Sequence, residues 1–120
     1  SRSRTLFADG FLLTKHDMDV FGAAFLDGSG LTATDPEVSP LLADDLAGLP
    51  PALLITAGFD PLRDEGEQYA AKLREAGVVV DARQMRSMSH VFLNMNVLGG
   101  EVARANAEMI SAFRAHLARA

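Results

Sequence analysis

The chain has no cysteine and no tryptophan, and a single tyrosine among its 120 residues. Without thiols, cysteine nucleophiles, disulfides and cysteine-ligated metals are excluded, and no redox compartment is implied. Lys and Arg number 11 against 16 Asp and Glu, and the basic residues form no cluster. A net charge of −5 without a basic patch argues against nucleic acid or an anionic membrane surface as partner. No apolar run approaches the roughly 20 residues of a spanning helix. No secretory leader is visible, which favours a cytoplasmic setting. Phosphate-cradling glycine loops and zinc-ligand spacings are missing too.

One more absence bears on chemistry. A strained Gly-x-Ser-x-Gly elbow requires Gly two residues either side of a serine. Ser29 has Asp27 and Leu31 at those places, and Ser39, Ser87, Ser89 and Ser111 fail likewise. Gly99-Gly100 is the one glycine doublet, so no His-Gly-Gly-Gly run supplies oxyanion donors.

What is present is an α/β pattern, with 48% hydrophobic residues to build a core. Ala52 to Ala57 is a short continuous apolar run of the kind found in parallel strands covered on both faces. Pro61 opens a helix to about Ala76, with Leu62, Gly66, Tyr69, Ala70, Leu73 and Ala76 on one face and Gly77 as its stop. A second strand runs from Val78 to Met85 and turns polar at Asp81 and Arg83, as an outer strand does. A last helix, from Gly100 or Glu101 to Leu117, is expected to bury Val102, Met109, Phe113 and Leu117. Strand–helix–strand at this spacing is a parallel crossover.

Ahead of it, Ser1 to Thr14 reads as a surface connection. Met18, Phe21, Ala24 and Phe25 then recur at helical spacing from a cap at Asp17 to about Asp27. Four of the five prolines fall between Thr34 and Pro51, which reads as an ordered loop. Residues 1–51 are thus a helix and loop region, and residues 52–120 a strand-helix-strand-helix unit. Two strands with about three helices make an incomplete sheet. The Ala52 strand is too apolar for an edge, yet the chain offers it no second neighbour.

Two residues stand out as chemistry. Asp60 follows the carboxyl end of the first strand, where open α/β sheets keep their functional groups, and His90 follows the second. An acid and a base at matching sheet ends suggest two members of a catalytic triad. Each also has an ordinary reading. Asp before Pro is a common helix start, and a His among Met88, Ser89, Val91 and Phe92 is often a satisfied, half-buried residue. Asp64 and Glu65 suit the first turn of a helix, with Asp64 placed to brace the loop around Asp60. His16 and His116 read as surface residues.

The run Asp60-Pro61-Leu62-Arg63-Asp64-Glu65-Gly66, preceded by Leu49-Pro50-Pro51-Ala52-Leu53-Leu54-Ile55-Thr56-Ala57-Gly58, closely resembles the hormone-sensitive-lipase-like family of α/β-hydrolases. Asp35-Pro36-Glu37-Val38-Ser39-Pro40-Leu41 and Gly10-Phe11-Leu12-Leu13-Thr14 resemble the same family, so the likeness spans nearly the whole chain. It implies the last two strands of an α/β-hydrolase sheet, the C-terminal portion of a serine esterase or lipase. Asp60 would be the triad acid and His90 the general base. The serine elbow and oxyanion loop would lie in polypeptide before Ser1, the N-terminal part of the same enzyme. The substrate would be a small uncharged carboxylic ester, with no metal or organic cofactor. Met18, Phe21, Phe25 and Phe92 are candidate pocket walls, against the plainer reading that they are core. Where this family usually has Gly before the Met and Gly after the His, the chain has Ser87 and Val91.

On this reading the chain alone lacks a nucleophile and is inactive. Its open strand edge would favour self-association. The alternative is a non-catalytic binding or assembly module that keeps the hydrolase-like fold, against which retention of both Asp60 and His90 tells.

Overall fold

The computed structural model describes residues 1–119. Its centre is a pair of parallel strands, β1 (Ala52–Phe59) and β2 (Val80–Ser89). The expected crossover helix between them, α3, spans Arg63–Glu75. Asp64 and Glu65 in its first turn and Lys72 and Arg74 in its last complement the helix dipole. Gly77, at φ +82°, stops it: the Gly77 amide donates to the Arg74 carbonyl and the Val78 amide to that of Leu73. These paired bonds satisfy carbonyls the helix would leave orphaned, and they need a left-handed residue at that point.

Side chains alternate across a strand, so the two faces of the sheet collect different partners. Ile55, Ala57 and Met85 meet Val102, Ala105 and Met109 of α4 (Gly100–Leu117). On the other face Ala52 and Val80 join Leu73, Tyr69 and Ala76 of the α3 segment, with Leu46 and Val78. Gly66 lets α3 lie close to β1, since a Cβ there would stand 2.9 Å from Thr56 Cγ2. Among the described residues β1 has no partner on its other edge, and most of this apolar strand remains only half-buried.

Several expectations require correction. The segment read as a surface connection contains a helix, α1 (Arg2–Leu6). The next helix, α2 (Lys15–Leu26), starts before Asp17 because Thr14 is its cap. The Thr14 hydroxyl accepts the Asp17 amide while the Asp17 carboxylate accepts the Thr14 amide, a reciprocal pairing that satisfies two orphan donors. A single 3₁₀ turn, Pro40–Leu42, interrupts the proline-rich loop, and a seven-residue 3₁₀ segment, Phe92–Leu98, kinked at Met95, follows β2. In α4, Phe113 and Leu117 are 54% and 57% exposed, because the sheet-facing line of this helix runs through Ala105, Met109 and Ala112. Phe113 and Leu117 stand on its flank.

The decisive irregularity lies near the carboxyl ends of the strands. From Ala52 to Ala57 each residue pairs 28 positions ahead, Ala57 with Met85, but Phe59 pairs with Ser89, 30 ahead. Two extra residues of β2 are therefore looped out as a bulge, a device that re-aims the side chains beyond it. Met85 and Met88, three apart, consequently both reach the α4 core. Gly58 permits the bulge. A methyl group on its Cα would overlap the Arg86 carbonyl. Gly58→Ala is expected to destabilise the folded protein by about 2 kcal/mol or more, the cost of forcing volume into packed backbone. A lowered urea midpoint checks this, and an unchanged midpoint would contradict it.

Candidate active site

Beyond the bulge, the 30-residue offset continues from Phe59–Ser89 to bring Asp60 beside His90. The side chains meet: His90 Nδ1 lies 2.8 Å from Asp60 Oδ2. Asp60 is 8% exposed, while His90 is half-buried. The other carboxylate oxygen, Oδ1, accepts the Leu62 amide at 2.8 Å. Each Asp60 oxygen thus has its own donor, and rotation of the carboxylate would break one bond or both. The helix-start reading of Asp60 and the triad reading are compatible, since one oxygen serves the turn and the other the imidazole. An ionised carboxylate only accepts, so Nδ1 is the protonated nitrogen of neutral His90. Nε2 is left for a proton from outside.

The turn that carries Asp60 is itself held. Ser3, fully buried, donates its hydroxyl to the Pro61 carbonyl at 2.7 Å and its amide to Asp64 Oδ2 at 2.7 Å. The Asp64 amide returns a bond to Ser3 Oγ at 3.2 Å. Burial pushes the Asp64 carboxyl up, but hydrogen bonds from Ser3 and Arg63 and the Arg63 charge outweigh it and hold the group below its ordinary value. Arg63 also donates to the Gly58 carbonyl at 3.0 Å, and its guanidinium covers the Phe7 ring at 5.2 Å. Phe7 packs edge-on against Phe11 and Phe59, which stack on each other at 5.6 Å. The bracing role read for Asp64 thus has visible partners. Ser3 carried no such signal, because its partners lie 58 and 61 positions away.

A cavity of about 600 Å³ opens onto His90. Leu13, Met18, Phe21, Leu26 and Leu62 provide its apolar lining. Two of the four candidate wall residues, Met18 and Phe21, are therefore brought together with the imidazole. Phe25 is 74% exposed and does not line this cavity. Phe92 is buried in the core with Ala57, Met85, Met88 and Ala105. His16 is exposed and His116 half-buried. Among the described residues no group of His, Asp and Glu could hold a metal ion, and no helix is long and apolar enough to cross a membrane.

A family model described as the alpha/beta hydrolase fold matches residues 1–94. The chain belongs to that family. It is 56% identical over 119 residues to the carboxylic ester hydrolase LipN of Mycobacterium tuberculosis, covering 99% of this chain and 32% of that protein. Against the hormone-sensitive lipase of Bos taurus it is 34% identical over 82 residues, 67% of this chain and 11% of that one. The structure of the ester-hydrolase EH1AB1 from the metagenome of Lake Arreo superposes with a TM-score of 0.78 at 38% identity, over 98% of this chain and 37% of that chain. The resemblance to hormone-sensitive-lipase-like hydrolases that the Asp60 motif suggested is borne out. The chain spans about a third of the length of LipN.

One position beside His90 carries backbone strain. Val91 occupies the left-handed region at φ 56°, ψ 20°, directly after His90. For a β-branched residue that conformation costs about 1–2 kcal/mol. Its side chain is 45% exposed, so little burial offsets the strain. Glycine would relieve it while giving back roughly 0.5–1 kcal/mol in backbone entropy. Val91→Gly is expected to raise stability by up to about 1 kcal/mol, read as a higher denaturant midpoint at constant slope. A lower midpoint would show that the valine makes compensating contacts.

Proposed function

We propose that this chain is the acid- and base-bearing C-terminal portion of a serine esterase or lipase acting on uncharged carboxylic esters. The observation that carries this reading is the 2.8 Å contact between Asp60 Oδ2 and His90 Nδ1, beside an apolar cavity in a chain related to carboxylic ester hydrolases. His90 Nε2 takes the proton of a serine hydroxyl as that serine attacks the ester carbonyl. His90 then gives the proton to the departing alcohol, and water repeats the cycle against the acyl-enzyme. Asp60 holds the imidazole in the tautomer with Nε2 free and stabilises the imidazolium without taking the proton itself. The serine and the oxyanion donors come from polypeptide preceding Ser1. That polypeptide also supplies the missing neighbour of β1, and the chain without it is inactive and pairs with itself through the open edge.

The cavity supports the substrate class. The two charged residues on its wall, Arg4 and Asp19, are each engaged in an ion pair, with Glu65 and with Lys15. That leaves an apolar lining suited to a short or medium acyl or alcohol chain, with Met18 and Phe21 as walls.

In the full-length protein, Asp60→Asn and His90→Ala are each expected to lower kcat on a chromogenic ester by about 10⁴-fold while the fold is retained. Near-normal turnover in either variant would overturn the role assignment. Phe21→Ala is expected to shift kcat/KM toward longer acyl chains by about tenfold, within the range that one or two methylenes command in an apolar pocket. An unchanged chain-length preference would remove Phe21 from the wall.

A further inference from the structure

We infer that Ser3 and Asp64 form a reciprocal cap joining α1 to α3, and that through it Ser3 is a positioning residue for Asp60. The inference rests on the triad reading above and extends it to a segment with no chemistry of its own. A helix start leaves its first amides without partners inside the helix, normally met by a local Ser, Thr, Asp or Asn. Neither helix has a side-chain cap at its own cap position. The cap position of α3 is Leu62, which has no acceptor, and Ser1 at the cap of α1 makes no capping bond. Each helix borrows from the other: Ser3 Oγ accepts the Asp64 amide of α3, and the Asp64 carboxylate accepts the Ser3 amide of α1.

The directions of these bonds are fixed. A serine hydroxyl has one proton, and the Pro61 carbonyl, 2.7 Å away, can only accept it. A lone pair of Ser3 Oγ then accepts the Asp64 amide. Ser3 has no solvent exposure, so bulk water has no direct access to replace it. Between the two groups Ser3 grips, the Pro61 carbonyl and the Asp64 amide, lies Leu62. Its amide is the donor that fixes Asp60 Oδ1 and leaves Oδ2 for His90. Arg63 pins the same stretch from the other side through the Gly58 carbonyl. Ser3 therefore sets the Leu62 amide, the Leu62 amide sets the carboxylate, and the carboxylate sets the imidazole.

The test uses the full-length protein and four variants: Ser3→Ala, Ser3→Thr, Asp64→Asn, and Ser3→Ala with Asp64→Asn. Ser3→Ala is expected to lower kcat about tenfold with KM within about twofold, less than the ~10²-fold that a 1 Å misplacement can cost. It should also weaken the far-downfield proton resonance of His90 Nδ1–H. Ser3→Thr, which keeps the hydroxyl, should retain both, and the double variant should be no worse than its poorer parent because the two residues act as one unit. A Ser3→Ala protein that melts earlier but keeps wild-type kcat per folded molecule and an unchanged downfield proton would overturn the inference and leave Ser3 a mere staple. Should Ser3→Ala fail to fold, Ser3→Cys, similar in shape but a weak donor, carries the same two readouts, and wild-type values there overturn it equally. If Asp60→Asn and His90→Ala abolish turnover while the Ser3 variants are silent, this inference alone fails. If those two leave turnover intact, the triad reading itself has failed.

Discussion

The close approach of Gly58 to the Arg86 carbonyl is the constraint on which the site depends. It allows β2 to carry two residues more than β1 at the sheet's carboxyl end. Without that excess the pairing would set Asp60 beside Met88, a core residue, and leave His90 two positions further along. A bulge is thus the device that converts two regular strands into an acid–imidazole pair. Only a residue without a Cβ tolerates it, and the requirement is steric rather than conformational, since Gly58 is not among the residues with positive φ.

Around that point the structure spends unusual care on a short turn. The segment from Gly58 to Asp64 is held at the Gly58 carbonyl by Arg63, at the Pro61 carbonyl by Ser3, and at the Leu62 amide by Asp60 itself. The aromatic trio Phe7, Phe11 and Phe59 covers one side, with the Arg63 guanidinium over Phe7. Preorganisation of this kind would serve the orienting role proposed for Asp60, which small displacements would weaken. The remainder of the fold is plainer. α3 and α4 cover the two faces of a two-stranded sheet, and β1, the most apolar strand, keeps an uncovered edge.

Much of this was legible in the residues. The apolar run at Ala52–Ala57, the amphipathic stretch ending at Gly77 and the Asp60 motif each report local preference or burial, which periodicity exposes directly. The crossover helix and β1 lie close to where pattern placed them, and the family resemblance holds, but β2 (Val80–Ser89) starts two residues later than its apolar run and continues four residues past Met85 through the bulge. Legibility failed where partners are distant. Helix α1 is too short to show a period, and Ser3 gains meaning only from Pro61 and Asp64. Phe25 and Phe113 look like core by type and spacing, yet both remain exposed. Phe92 shares its composition with a pocket wall, and packing against Met85 and Met88 makes it core instead.

Element types, their order and the chemical character of Asp60 and His90 were carried by the chain's linear pattern, because hydrophobic period, caps and turn residues act over a few positions. The bulge that aligns Asp60 with His90, the capping of each of two helices by the other, and the separation of Met18 and Phe21 from Phe25 and Phe92 arose only in three dimensions. Each depends on a register shift or a packing choice among residues tens of positions apart, for which a one-dimensional pattern contains no term.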